Sequence, residues 1–363
     1  MQTSIPCSAM RGGSSKGLFF LADDLPNDAA TRDRVLVAAI GADDRQIDGM
    51  GGADPLTSKV AIVGKSSRKD ADIDYLFVQV VVGEGRVDTT PNCGNMLAGT
   101  GPFAIEHGLV PVTGETTSVR VHMVNSNNLC ELVIRTPRGA VQYEGDAAIS
   151  GVPGTAAPII CNYLDVAGSA CGSLFPTGKN KDTVRGVEAT CVDNGMPAVV
   201  LRAADLGVTG YESCNELNGN GKLKQRLEEI RLELGPKMNL GDVKKKIVPK
   251  MCLIAPPRAG GHVCTRTFIP HDCHAAIGVL GAVSVATACI TPGSVASGIA
   301  IVPPGGSKRF SVEHPSGEFT VELEVGGTPD RPEVLKAGLI RTARLLFHGE
   351  VFVPSSIWNG KKS

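Results

Sequence analysis

The sequence is poor in aromatic residues and has almost no excess charge. Aromatic side chains account for 4% of the 363 residues, and the formal net charge is −1. The one basic run that stands out is Lys244-Lys245-Lys246. Surfaces that bind nucleic acids combine clustered Lys and Arg side chains with aromatic rings on which bases stack. This composition therefore argues against a nucleic-acid partner.

Long apolar segments and secretory features are also lacking. The longest apolar run, residues 275–290, has 16 residues, whereas a membrane-spanning helix needs about 20. The first ten residues do not combine a basic region with a following apolar one, so we expect neither a signal peptide nor a membrane anchor. Eleven cysteines without a secretory signal indicate reduced thiols in the cytoplasm. No two of them have the Cys-x-x-Cys spacing, which argues against a zinc ribbon.

One cysteine lies at the point where an extended segment is followed by a predicted helix. Pro91-Asn92-Cys93-Gly94-Asn95 precedes an apolar run from Met96 to Ile105. Backbone N–H groups at a helix N-terminus stabilise a thiolate or a substrate carboxylate, and they lower a cysteine pKa from about 8.5 toward neutrality. Gly94 has no Cβ that would keep a ligand away from the backbone. The alternative is a buried cysteine at an ordinary loop-to-helix junction.

The second half of the chain contains a comparable arrangement. His271-Asp272-Cys273-His274 precedes the small-residue run from Ala275 to Ile290. This similarity predicts two halves of one plan, each with a central helix whose N-terminus is directed toward a common site. Five His and Cys side chains, His262, Cys264, His271, Cys273 and His274, occur within 13 residues, but in none of the usual zinc-site spacings, so we expect no bound metal.

Two glycine-rich segments carry cations. Arg11-Gly12-Gly13-Ser14-Ser15-Lys16-Gly17 separates two predicted strands and has the composition of a loop that binds anions. Residues 46–59 form a second glycine-rich loop that ends at Lys59, just before a predicted strand from Val60 to Val63. A solvated turn and a solvated lysine are the simpler alternatives. A lysine can act as a base only if burial or nearby cations lower its pKa, and the Arg11 and Lys16 loop is the candidate source of such cations.

The pattern of the remaining segments predicts an α+β fold. Alternating apolar residues predict many short strands, including residues 140–143 and 300–302. Helices are predicted at 28–40, with Asn27 as the N-cap, and at 222–234, where Gly235-Pro236 would end the helix. Strands dominate and helices are few, which favours antiparallel or mixed sheets curled around buried helices. A length of 363 residues corresponds to about two domains.

Six motifs spread over almost the whole chain resemble those of one known family, the methylaconitate isomerase family. The motifs are Met10-Arg11-Gly12-Gly13-Ser14-Ser15-Lys16-Gly17, Gly51-Gly52-Ala53-Asp54-Pro55-Leu56-Thr57-Ser58-Lys59-Val60, Asn92-Cys93-Gly94-Asn95, Gly235-Pro236-Lys237-Met238-Asn239-Leu240-Gly241-Asp242, Arg266-Thr267-Phe268-Ile269-Pro270-His271 and His314-Pro315-Ser316-Gly317-Glu318-Phe319.

The resemblance implies a diaminopimelate-epimerase-like fold with two pseudo-symmetric lobes, each a β-sheet wrapped around a central helix. We place the first lobe at residues 1–184 with Lys59 and Cys93, and the second at 185–363 with Arg266 and His271. The last strands are expected to return to the first lobe. The resemblance does not specify the oligomeric state, and a homodimer is compatible with it.

The resemblance also implies a cofactor-independent isomerase of small tricarboxylates, without metal, nucleotide or pyridoxal phosphate. The motifs are closest to the branch that acts on 4-oxalomesaconate in bacterial breakdown of gallate, protocatechuate and lignin-derived aromatics. Allylic isomerisation and keto–enol tautomerisation both fit, and the alternatives are 2-methylaconitate isomerisation or tricarboxylate binding without turnover. Lys59 is then the base and Cys93 its acid/base partner. The implied substrate-binding residues are Arg11, Ser15, Lys16, Ser58, Gly94, Asn95, Arg266 and His271.

The sequence departs from the family pattern at two places. Ser14 stands where the family usually has Thr, which keeps the hydroxyl. The second half lacks the Cys-Gly-Ser/Thr-Gly signature of epimerases and has Cys273-His274-Ala275 instead. Symmetric racemisation between two thiols therefore does not fit, one-sided isomerisation does, and we expect Cys273 to have no catalytic role.

Overall fold

The computed structural model describes residues 1–164, 166–328 and 331–361, with side chains for all of these except 331–333. The fold is α+β, and the described residues divide into two compact units. The first comprises Met1–Leu164 and Ile340–Ser363, and the second comprises Asp165–Leu339. No helix in the described part of the chain is both long and apolar enough to cross a bilayer.

The first unit is a mixed sheet that packs a helix against each face. Its strands lie in the order β17–β1–β2–β3–β4–β6–β7–β8, and β5 pairs with the last three residues of β4. Its elements are β1 (Gln2–Gly12), β2 (Ser15–Leu21), α1 (Ala29–Ile40), β3 (Lys59–Lys65), β4 (Ile73–Val81), β5 (Arg86–Asp88), α2 (Gly94–Glu106), β6 (Thr116–Met123), β7 (Asn128–Arg135), β8 (Ile159–Leu164) and β17 (Ala343–Pro354).

Successive side chains along each strand point to opposite faces of this sheet. Val60 and Ile62 of β3 pack into the apolar cluster that contains Leu36 and Ile40 of α1. The intervening residues of β3 face α2, whose middle is completely buried. A Cβ at Gly99 of α2 would lie 2.6 Å from the Phe19 ring, so small residues let the sheet curl closely around this helix.

The second unit is built in the same way. Its strands lie in the order β9–β10–β11–β12–β13–β14–β15–β16, and α5 is buried against them. Its elements are β9 (Asp182–Val184), β10 (Val187–Asp193), β11 (Pro197–Arg202), α3 (Cys214–Gly219), α4 (Gly221–Lys237), β12 (Lys250–Ala255), β13 (Val263–Phe268), α5 (Val279–Ile290), β14 (Ser307–His314), β15 (Gly317–Thr328) and β16 (Arg331–Arg341), whose last two residues fall in the first unit.

The two units repeat one succession of strand pairings. From β17 to β8 the pairings are antiparallel, antiparallel, parallel, antiparallel, parallel, antiparallel and antiparallel. From β9 to β16 the succession is identical. β12 is thus the counterpart of β3, and α5 is the counterpart of α2. The predicted repeat of two halves, each with a sheet around a central helix, is confirmed.

Several predicted boundaries were wrong. α5 begins only at Val279, so residues 271–274 do not lie at a helix N-terminus. α4 continues through Pro236 to Lys237, because a proline in the last turn removes only one helical hydrogen bond. The N-cap of α1 is Asp28, whose carboxylate accepts from the Thr31 N–H at 2.8 Å. Residues 140–143 and 300–302 form no strand.

The division into units differs from the boundary placed after residue 184. β9 ends at Val184 and pairs with β10, which belongs to the second unit. A boundary that keeps this hairpin together lies earlier in the chain. The C-terminal strand β17 belongs to the first unit because it pairs with β1 along its whole length.

Candidate active site

Lys59 is the first residue of β3 and lies on the face that packs against α2. Its side chain is 8% exposed, and its Nζ donates to Gln79 Oε1 at 2.7 Å and lies 5.0 Å from the centre of the Phe77 ring. Gln79 Nε2 in turn donates to the Ser58 carbonyl at 2.9 Å, which fixes the amide oxygen toward the lysine. A Cβ on the neighbouring Gly17 would lie 2.1 Å from the Lys59 carbonyl, so glycine is required there.

Cys93 is the N-cap residue of α2. Its carbonyl accepts from the Leu97 N–H at 3.0 Å and from the Tyr75 hydroxyl at 3.1 Å, while its half-buried thiol makes no capping bond. Burial raises the pKa of Tyr75, so this hydroxyl stays protonated and can donate. Gly94 and Asn95 are the first two helical residues. The thiol is thus placed beside the free N–H groups of a buried helix.

The segment from Arg11 to Gly17 is a tight hairpin rather than the open loop that its composition suggested. β1 and β2 pair up to Gly12 and Ser15, so only Gly13 and Ser14 form the turn. Asn95 Nδ2 donates to Ser14 Oγ at 3.0 Å and reaches Ser15 Oγ at 3.5 Å. A Cβ at Gly13, which has φ +52°, would lie 2.2 Å from Asn95 Oδ1. The turn and the first residues of α2 therefore form one hydrogen-bonded unit.

The hairpin register separates the predicted substrate-binding residues into two groups. Gly12 and Gly17 face α2, and so does Ser15, which is paired with Gly12. Arg11 and Lys16 form the residue pair next to Gly12 and Ser15 in the hairpin. Because successive residues of a strand point to opposite faces, the Arg11 and Lys16 side chains lie on the face away from α2. Contrary to the expectation from the sequence, these two cations therefore do not lie on the face of the sheet that carries the Lys59 side chain.

Ser58 also has a different local role from the one expected. Its side chain is fully buried, and its hydroxyl donates to Gln46 Oε1 at 2.7 Å and lies 2.8 Å from the Asp54 carbonyl. These bonds tie together the glycine-rich loop that ends at Lys59. Ser58 thus positions the loop, and its hydroxyl is already engaged.

Arg266 and His271 lie in the second unit and are bound to protein groups. Arg266 is largely buried in β13, and its Nε donates to the Glu212 carbonyl at 2.6 Å. His271 is exposed and lies 3.6 Å from a carboxylate oxygen of Glu228. Cys273 forms a bridge with the end of β13, and burial raises the pKa of its thiol. A thiol of this kind is a poor nucleophile or base.

Three side chains of interest are not among the residues predicted for the site. Gln79 could have been found only by pairing the strands that begin with Lys59 and end near Val81. Lys250 is the first residue of β12, as Lys59 is of β3, and it is 7% exposed with its pKa lowered by burial. Arg341 is buried in the first unit. Burial lowers the pKa of its guanidinium group, and an electrostatic interaction with Cys93 is one of the effects that raise it again.

No group of three or more His, Cys, Asp or Glu side chains among the described residues is arranged to hold a metal ion. The candidate site consists of a lysine, an amide, a helix N-terminus and hydroxyl groups. This set can move a proton and bind carboxylates through hydrogen bonds.

Comparisons with known proteins place the chain in a family. The PrpF protein family model matches residues 2–354. The chain is 58% identical over 360 residues to 4-oxalomesaconate tautomerase of Pseudomonas putida, covering 99% of both. It is 57% identical over 351 residues to (4E)-oxalomesaconate Delta-isomerase of Novosphingobium sp., covering 96% of this chain and 98% of that one.

The fold is also that of a solved relative. The crystal structure of methylitaconate-delta-isomerase matches with a TM-score of 0.86 and 33% identity, and the match covers 98% of this chain and 97% of that one. The family model, the sequence relatives and the solved structure agree over nearly the whole length, so the chain is an isomerase of the PrpF protein family.

Proposed function

We propose that the protein is a cofactor-independent isomerase that moves a proton within 4-oxalomesaconate, with Lys59 as the base. The observation that carries this proposal is the placement of a buried Lys59 on the α2 side of the first unit, held by Gln79. That face also presents Cys93, Asn95 and the hairpin hydroxyls. The substrate is taken from the two relatives that are 58% and 57% identical.

The reaction needs an acidic C–H bond beside a carbonyl group. Lys59 in its neutral form takes this proton, and the C–H electron pair spreads through the conjugated ketoacid as an enolate. The proton then returns either to the other end of the allylic system or to the enolate oxygen. Both outcomes conserve atoms and electrons, so allylic isomerisation and tautomerisation use the same groups.

The N-terminus of α2 supplies the complementary charge. Free N–H groups at Gly94 and Asn95, with the Asn95 amide, are suited to a substrate carboxylate or to the developing enolate. The Cys93 thiol lies at the same helix end and is suited to returning the proton. The amide and the hairpin hydroxyls are preorganised by their mutual hydrogen bonds, which lowers the reorganisation that the reaction requires.

The resemblance to the branch that acts on 4-oxalomesaconate also implies a physiological setting. A protein that processes 4-oxalomesaconate would act in bacterial breakdown of aromatic compounds such as gallate, protocatechuate and lignin fragments. The unpaired cysteines fit a reducing compartment, which supports a cytoplasmic location.

The test uses purified protein and three substrates: 4-oxalomesaconate, 2-methylaconitate and methylitaconate. Turnover is followed by ultraviolet absorbance, and proton NMR in D2O identifies the product and the exchanged position. We expect turnover of 4-oxalomesaconate with a kcat/KM at least tenfold above that for the other two. Binding without turnover of any of them would refute the isomerase assignment, and a preference for a methylated acid would refute the substrate.

A further inference from the structure

Three cations lie side by side on the face of the first unit's sheet that is opposite to α2. Lys16 of β2 is paired with Arg11 of β1, and Arg11 is paired with Arg344 of β17. Directly opposite residues on neighbouring strands have their Cβ atoms only about 5 Å apart. We call Lys16, Arg11 and Arg344 the cationic row.

The charges of the cationic row are not compensated by acidic side chains. None of the ion pairs among the described residues includes one of the three cations. Arg11 Nη1 is held by neutral oxygens, the carbonyls of Gly13 and Thr342 and the Thr342 hydroxyl. Like charges directly opposite each other destabilise a sheet. An anion at this place would remove that repulsion.

A cavity opens directly beside the row. It has a volume of about 560 Å³, and its lining includes Arg11, Thr342 and Arg344 together with residues of the segment 143–156. This volume falls in the range of small-molecule sites, about 300–1,000 Å³. Glu144 is the one carboxylate among its lining residues, and it makes no ion pair with either arginine.

We propose that this cavity is a second anion-binding site, distinct from the Lys59 site, for a small polycarboxylate or phosphate. Planar guanidinium groups bind carboxylate and phosphate oxygens in a bidentate manner, and two of them face this cavity. The third cation, Lys16, is exposed at the neighbouring strand and extends the positive field. A ligand with two or three negative charges matches the row.

The site is connected to the proposed catalytic groups through the hairpin. Arg11 and Lys16 lie on one face of β1 and β2, and Ser15 lies on the other face of the same strands. An anion that neutralises the row would stabilise this hairpin and thereby the hydroxyls that Asn95 contacts. The site is therefore suited to an effector, such as an accumulating di- or tricarboxylate.

The experiment compares Arg344→Gln with a matched control, Arg135→Gln. Arg344 has no part in the proposed catalytic machinery, and Arg135 is an exposed arginine on β7 with no side-chain partner among the described residues. Tricarballylate and inorganic phosphate are titrated separately into each full-length protein at constant ionic strength. Calorimetry gives stoichiometry and affinity, and thermal unfolding gives the shift in Tm.

We expect the wild-type protein and Arg135→Gln to bind one of these anions at a site that Arg344→Gln weakens at least tenfold. Without added anion, Arg344→Gln should have the higher Tm, because it removes one of two opposed cations. Which of the two anions binds shows whether the natural ligand of the site is a carboxylate or a phosphate. Equal Tm shifts in all three proteins, or shifts that chloride reproduces at equal ionic strength, would overturn the site. Neither measurement uses turnover, so the result does not depend on the proposed reaction.

Discussion

Replacing Lys59 by methionine removes the proposed base and leaves most of the side-chain shape. Methionine fills a similar volume, and the site is only 8% exposed. Proton transfer by one positioned group contributes about 10²–10⁴-fold, so kcat should fall by this factor. The corresponding rise in the activation free energy is about 2.7–5.4 kcal/mol, at ~1.36 kcal/mol per tenfold. Deuterium exchange into the substrate should fall by the same factor, because it requires the same proton abstraction.

Stability should respond much less than catalysis. Lys59→Met leaves Gln79 Oε1 without its 2.7 Å donor, which costs about 1–3 kcal/mol for a buried acceptor. The same change also removes a polar group from a largely buried site, which offsets part of that cost. The Tm should therefore move by only a few degrees, and substrate binding measured by calorimetry should persist.

The matched control is Lys65→Met, the same substitution at the exposed end of the same strand. It should leave kcat, exchange and Tm unchanged. If Lys59→Met exchanged substrate protons at nearly the wild-type rate while Cys93→Ser did not, the assignment would be reversed. The enzyme would then use a thiolate base.

Four further outcomes are expected. Cys93→Ser should still bind substrate in calorimetry but lower kcat by about 10²-fold; unchanged kcat would exclude the thiol from proton return. Lys250→Met should raise the free energy of unfolding at neutral pH in urea titrations, because burial lowers the pKa of this amine and the substitution removes that desolvation cost, whereas exposed Lys245→Met should leave it unchanged. Prolonged dialysis against EDTA should leave turnover unchanged, and recovery by added zinc after a loss would contradict the proposed mechanism. Burial lowers the pKa of His262, whose Nδ1 accepts from the Ser311 N–H at 2.9 Å. As the pH falls, the imidazole is therefore protonated in the unfolded chain before it is protonated in the folded one, and the free energy of unfolding decreases below about pH 6.5. His262→Phe should reduce that loss in urea titrations.

Local sequence was sufficient for most strands and for the cysteine at the start of α2. It was insufficient at α5, where residues 275–278 are apolar and compatible with a helix. There the Ala276 N–H bonds instead to His274 Nδ1 at 3.0 Å, and Gly278 becomes the N-cap. Whether a side-chain hydrogen bond replaces a helical one depends on the three-dimensional geometry of the segment, which its composition does not specify.

The faces of the hairpin illustrate a second limit. Arg11, Ser15 and Lys16 belong to one motif, and proximity along the chain grouped them as binders of one anion. Strand geometry sends alternate side chains to opposite faces, so the pairing register decides which residues share a site. Gln79 was missed for the same reason, because its contact with Lys59 exists only when β3 and β4 are aligned.

The pairing of β1 with β17 has a consequence for synthesis of the chain. Gly12 pairs with Ala343 and Gln2 with Pro354, so one edge of β1 has no partner until nearly the whole protein has left the ribosome. At about 5–20 residues per second this wait is roughly 15–70 s. During that time an open strand edge is available for pairing with other chains. The nascent protein therefore depends on the twelve residues of β17 to close the first unit, and a ribosome stalled before them would release a chain with an exposed edge.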